Sequence, residues 1–327
     1  MRPGGVCIHC GTESEAVPLA TYKASVCCPM KWTGTLDNPD GEAEIVEGSK
    51  QNTVCRAVTT SGIALHTGNR VTLTLQPAPV DSGVRFKRVD LPGMPEVRAL
   101  VQNVVGTQRG TTISQGDAKV HTVEHVLATL NAMGIDNVMI EMSGPEPPIM
   151  DGSSKPFVEM LERAGTQEQD AARQFLEVKD KIFLEFGETK VMIVPDPEFR
   201  ISCTVKYGAT PLDCQYLSLS VTAASFVNEL CEARTFCLYQ EIEPLMALNL
   251  IGGGSLDNAV VIKDDLILSK EGLRYPDELV RHKMLDIVGD LYLLGRRLRG
   301  HVIAIKPGHS SNVALAREIN TLMGDAS

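Results

Sequence analysis

Apolar and polar positions alternate with two different periods along this chain, and each switch of period marks a change of element. Residues 70–76 (RVTLTLQ) and 137–142 (NVMIEM) alternate one to one, the mark of half-buried strands. Similar runs predict strands over 53–60, 97–105, 174–186, 189–195, 200–207, 259–262 and 301–306. Apolar residues recurring every three or four positions predict helices over 121–133, 156–165, 223–230, 278–294 and 311–323. Gly134 is placed to stop the first of these, and Pro156 suits the opening position of the second. SGIALHTG (61–68) reads as a glycine-bounded turn between two strands. Residues 1–50 mix Gly, Pro, Ser and acidic residues without period, and they read as a disordered leader. TQEQDAAR (166–173) carries no helix or strand face and reads as a linker. The boundaries that follow are 1–50, 51–170 and 171–327. Strands followed by helices, twice over, predict an α+β protein of two similar halves.

A chain of 327 residues with 43% hydrophobic content is long enough for two such halves, each with a core. The 41 acidic against 31 basic residues give a net charge of −10, which disfavours nucleic acid as a partner. No apolar run approaches the roughly 20 residues that span a bilayer, and no secretory signal opens the chain. Nine cysteines, an odd number with most scattered, point to reduced thiols and a cytoplasmic setting. Cys7-x-x-Cys10 and the adjacent Cys27 and Cys28 could be taken for a zinc knuckle. Adjacent cysteines do not suit the usual ligand spacing, so the leader reading is preferred there.

The chemistry concentrates on two helical segments of the form Val-x-His. In VRHKMLDIVGDL (280–291) the spacing places His282, Asp286 and Asp290 on one helix face. The apolar residues Met284, Leu285, Ile287, Val288 and Leu291 surround them, so that face is no ordinary solvated one. Far upstream, TVEH (122–125) supplies His125 with Glu124 beside it. Two imidazoles, a carboxylate and an adjacent base are the inventory of a catalytic zinc site with one open position. The metal would then lie between the halves, each half contributing one helix. HTVEH (121–125) also permits a zinc-peptidase reading, with His121 and His125 as ligands. His309, on a glycine turn before a helix, has the unperturbed pKa of a general acid. Thr235, in ARTF (233–236), offers a hydroxyl to an oxyanion, though a strand threonine is the ordinary reading. His66 reads as a turn histidine. GGGS (252–255) lacks the Lys-Ser/Thr of a phosphate loop, which excludes that function.

SGIALHTG, TVEHVLATLNAMGIDN (122–137), PPIMDGSSKPFV (147–158), ARTF, GGGSLDNAVV (252–261), DELVRHKMLDIVGDL (277–291) and Gly308-His309 occur in this order. Together they resemble the UDP-3-O-acyl-N-acetylglucosamine deacetylase (LpxC) family over residues 52 to 320. The resemblance implies two α+β halves packed as a β-α-α-β sandwich, with the active site between them. It implies zinc-dependent removal of an acetyl group from a UDP-sugar lipid in lipid A biosynthesis, by a cytoplasmic monomer. By resemblance His125, His282 and Asp286 hold zinc, with Fe2+ also compatible, and Glu124 is the general base. His309 is the general acid, Asp290 its electrostatic support and Thr235 the oxyanion donor. Lys283 and Phe236 contact the sugar and diphosphate. Residues 236–251 are rich enough in Leu, Ile and Met to line a channel for the acyl chain. Position 121 is not a ligand in that family, and the first 50 residues have no counterpart in its pattern.

Overall fold

The computed structural model describes residues 17–18, 43–207, 214–248, 250–264 and 266–322. The motif of Cys7, Cys10, Cys27 and Cys28 lies outside them. Five strands form the first sheet, in the order Val58–Ile63, Arg70–Pro77, Val138–Met142, Val84–Arg88, Glu96–Arg98. The alternation read in the sequence decides its faces: Leu73, Leu75, Phe86, Ile140 and Met142 point inward and are buried. The second sheet runs Ile182–Phe186, Thr189–Val194, Arg297–Ile305, Thr166–Val178, Ala43–Val54. Phe199–Lys206 joins it beside Arg297–Ile305 and carries Cys214–Ser220 along its other edge.

The helices fill the space between the sheets. Glu124–Met133 packs on Glu278–Leu291, which packs in turn on His309–Leu322 and on the strand Phe199–Lys206. Lys155–Ala164 lies against Val58–Ile63, and His309–Leu322 covers Ile182–Phe186 and Thr189–Val194. The buried apolar side chains of both sheets and these helices form one continuous cluster. This is the α+β, sheet–helix–helix–sheet arrangement the sequence predicts. Among the described residues no helix is long and apolar enough to cross a membrane.

Several boundaries move. The chain is ordered into a strand from Ala43, within the expected leader. The expected linker, 166–173, is the first part of the strand Thr166–Val178, and the two strands pair antiparallel from Thr166↔Val54 to Val178↔Ala43. Backbone hydrogen bonding builds this ribbon, and much of it is exposed on both faces, so no alternation of apolar side chains announces it. The predicted strand 97–105 is two short strands, Glu96–Arg98 and Val104–Gly106, separated by a 3-10 turn at Val101–Asn103. The strand 174–186 is likewise broken, between Val178 and Ile182. A helix at Tyr239–Ala247 was not expected, because Pro244 interrupts the pattern. Leu245 turns inward, but Met246 and Leu248 are 64% and 60% exposed. The glycine run packs against SGIALHTG, where Gly252 and Gly253 amides donate to His66 O and Leu65 O at 3.0 and 2.9 Å. A Cβ on Gly253 would overlap Ala64 O, so close backbone approach explains this glycine without a phosphate.

Candidate active site

Two helices from different halves make the site, and their approach depends on a glycine. Glu124–Met133 and Glu278–Leu291 touch where Gly289 faces the carbonyl oxygen of Glu124, with no room for a Cβ. Only at that separation do residues at the start of one helix meet the inner face of the other. Gly289→Ala therefore pushes the helices apart. We expect a loss of stability of about 1–3 kcal/mol, as for other overpacked cores, read as a lowered melting temperature. Metal content should fall with it, and an unchanged melt with full metal would exclude this role for Gly289.

At the contact, His125, His282 and Asp286 turn one donor atom each toward a common point, all within 4.8 Å of one another. The rings of His125 and His282 stand edge to face at 5.1 Å. Asp286 Oδ1 lies 3.5 Å from His282 Nε2 and 4.0 Å from His125 Nε2. All three residues are at most 5% exposed, so a solvated face is ruled out. His282 Nδ1 lies 3.1 Å from the Ala233 carbonyl, which can only accept, so Nδ1 carries the proton and Nε2 presents its lone pair. Burial, then the neighbouring His282, depresses the pKa of His125 to about 3, and burial lowers that of His282. Both rings are thus neutral, the form that binds metal. Burial alone would raise the pKa of Asp286, but Lys283, then His282 and His309, outweigh it and hold the carboxylate ionised. Its Oδ1 is buried without any hydrogen-bond partner, a costly state that a cation among these three donors would relieve. The donor set fits a divalent metal.

A second trio interlocks with the first: Glu124 and Asp290, both buried, and the half-buried His309. Asp290 is fully buried, and its Oδ2 accepts from His309 Nδ1 and Asn312 Nδ2, both at 2.9 Å. This leaves His309 Nε2 directed inward, 3.9 Å from both Glu124 Oε1 and Asp286 Oδ2. Burial opposes the charge on His309, yet Asp290, Glu124 and Asp286 together lift its pKa to about 9. Burial pushes Glu124 up to about 7 despite the nearby His309. A protonated imidazole and a basic carboxylate therefore face the same small space. Thr111 was not visible in the sequence, yet its amide donates to Glu124 Oε2 at 2.9 Å and its hydroxyl to Asp290 Oδ1 at 2.6 Å. Asn312 was also missed, although it follows His309 by three residues on one helix and shares its face.

The remaining expected residues fall around this centre. Lys283 Nζ donates to Asp286 Oδ2 at 2.7 Å and sits 5.5 Å from the Phe236 ring. Burial works against its charge, but Asp286 more than compensates and its pKa is raised. Phe236 stacks edge-on to His282 at 6.0 Å. Thr235 stands between Ala233 and Phe236, its backbone pinned by Gly152 O and Val260 N at 2.8 and 2.9 Å. In the same irregular segment, just before the strand Phe236–Leu238, Arg234 forms a buried ion pair with Glu278 at 2.9 Å that ties the segment to the start of the second ligand helix. His121 does not join the cluster. The helix begins at Glu124, so His121 is not four residues back along its face, and its Nδ1 pairs with Thr112 Oγ1 at 3.0 Å. His66 lies in its expected turn.

A buried His-His-Asp donor set beside a carboxylate base and a cationic histidine defines a metal-dependent hydrolase centre, built across two α+β halves. Residues 51–321 match the family model described as LpxC, UDP-3-O-acyl N-acetylglycosamine deacetylase. The chain is 43% identical over 272 residues to the UDP-3-O-acyl-N-acetylglucosamine deacetylase of Marinobacter nauticus, covering 83% of this chain and 90% of that one. It is 45% identical over 269 residues to the same-named enzyme of Citrifermentans bemidjiense, covering 82% and 88%. The chain belongs to the LpxC family of deacetylases, whose members are metalloenzymes.

Proposed function

We propose that this chain removes the acetyl group from UDP-3-O-(3-hydroxyacyl)-N-acetylglucosamine, giving the free amine and acetate, with zinc held by His125, His282 and Asp286. The observation that carries this reading is the pairing of the two trios, one fit for a metal and the other for proton transfer. His125, His282 and Asp286 would hold zinc, which would supply a Lewis acid able to polarise an acetamide carbonyl and acidify water. Glu124, ionised, accepts the proton of the attacking water. The Thr235 hydroxyl donates to the oxygen on which charge develops. His309, protonated and oriented through Nδ1 by Asp290, gives its Nε2 proton to the departing sugar nitrogen. Lys283 keeps Asp286 ionised through Oδ2 and, with Phe236, borders the space where the sugar and diphosphate would lie. The exposed apolar residues around Met246 and Leu248 suit an acyl chain better than a core. Fe2+ fits the same donors. Free thiols at Cys55, Cys203, Cys231 and Cys237 support a reducing, cytoplasmic setting. The reading keeps a monomer, with the division expected between 51–170 and 171–327 falling inside the strand Thr166–Val178.

The test is to strip the purified protein with a chelator, assay deacetylation of the UDP-sugar lipid, and add metals back singly. Activity should vanish with the metal and return at about one zinc or Fe2+ per chain. Full activity in metal-free protein would reject the reading.

The pH dependence follows from the same groups. Glu124 must lose its proton, so activity rises with pH on the acidic side, and a cation nearby moves that limb below 7. His309 must keep its proton, so activity falls as pH passes its raised pKa, about 9 without a cation and lower beside one. Asp290 is the largest cause of that elevation. Asp290→Asn should shift the basic limb of kcat/KM to lower pH by more than it shifts the acidic limb, because Asp290 is the chief cause of the elevation at His309 and only a lesser one at Glu124. A profile that merely scales down would show that Asp290 does not support the acid.

A further inference from the structure

In the deacetylase reading Glu124 and His309 act at opposite ends of one proton path, and Thr111 hydrogen-bonds both Glu124 and Asp290, the partner of His309. Thr111 is fully buried on the loop before the strand Thr112–Gln115. Its amide donates to Glu124 Oε2 at 2.9 Å, and its hydroxyl donates to Asp290 Oδ1 at 2.6 Å, 179 positions away in sequence. Its carbonyl accepts from Val123 N at 3.2 Å, which fastens the loop to the start of the Glu124–Met133 helix. Gly110 lets the loop come this close: a Cβ there would stand 3.1 Å from Glu124 Oε1 and 3.2 Å from Thr122 Oγ1.

We propose that Thr111 is the positioning residue of this reaction, coupling the base to the acid by fixing Glu124 with its amide and Asp290 with its hydroxyl. The inference rests on the deacetylase reading above and extends it to a residue outside the metal set. A carboxylate with both oxygens free can rotate, and either oxygen could meet His309. The Thr111 hydroxyl occupies Oδ1, so Oδ2 alone is left for His309 Nδ1 and Asn312 Nδ2. The imidazole is thereby fixed with Nε2 toward Glu124 and Asp286. The same threonine amide turns Glu124 so that Oε1, not Oε2, faces His309. Base and acid are aligned through one residue that touches neither the metal ligands nor the position of the reacting carbon.

The decisive comparison uses the metal-loaded full chain and its variants Thr111→Val and Thr111→Ser. Valine keeps the shape and the amide but removes the hydroxyl, and serine restores it. For Thr111→Val we expect kcat to fall by about 10- to 100-fold, as when other orienting partners are lost, with KM and metal content unchanged. Thr111→Ser should recover kcat to within a few-fold of the parent. Thr111→Val combined with Asp290→Asn should lose little more than Asp290→Asn alone, since the hydroxyl acts through that carboxylate. If valine is not accommodated, Thr111→Ala against Thr111→Ser reads the same hydroxyl. Equal kcat with and without the hydroxyl, a loss confined to KM, or strictly additive losses with Asp290→Asn would each overturn the proposal. An active parent beside an inactive Glu124→Gln variant shows that the deacetylase reading stands whatever Thr111 does.

Discussion

Asp286→Ala should leave the purified protein without metal and without deacetylase activity, whereas His121→Ala should keep both. Asp286 Oδ1 is a buried carboxylate oxygen with no other partner, facing two imidazoles held neutral by their surroundings. Removing it leaves two neutral donors and takes from the half-buried Lys283 the carboxylate its ammonium pairs with. An unpaired cation beside the metal position disfavours a second one. The loss should therefore exceed the roughly 10- to 100-fold seen when only a supporting partner is removed. His121 pairs with Thr112 on the neighbouring strand and lies outside the cluster of donors, so its loss should touch neither quantity. Metal analysis of each variant, with the assay run on the same preparation, checks both. Metal loss from His121→Ala together with retention in Asp286→Ala would exchange the amidase for the peptidase reading.

Glu124→Gln should do the reverse, keeping metal and fold while turnover falls. Glutamine is nearly isosteric and can still accept the Thr111 amide proton through its own carbonyl oxygen. It cannot accept a proton from water. The expected loss is about 10²-fold or more in kcat, the range for a missing general base. A protein that used its metal only to hold the halves together would show no such loss. Wild-type turnover in fully loaded Glu124→Gln would move the base elsewhere.

The sequence by itself determined the elements whose signals are local. The strict alternation of 70–76 and 137–142 became the paired strands Arg70–Pro77 and Val138–Met142, and the helix spacing of His282, Asp286 and Asp290 survived unchanged in Glu278–Leu291. It failed where pairing, not side-chain period, makes the element. The ribbon of Ala43–Val54 and Thr166–Val178 looked like leader and linker because its polar side chains face solvent while its backbones bond to each other. The donors were legible for a related reason: ionisable residues set among apolar neighbours are too costly to bury without a task. What those donors become was decided only by tertiary structure. Their meeting requires the bare backbone of Gly289 against Glu124, a fact about distance that no pattern within either helix encodes. The same holds for Thr111 and Asp290, 179 positions apart and joined by one hydroxyl. Periodicity records which face of an element is turned inward. Which atoms then touch is set by how two such faces pack, and that information resides in neither segment alone.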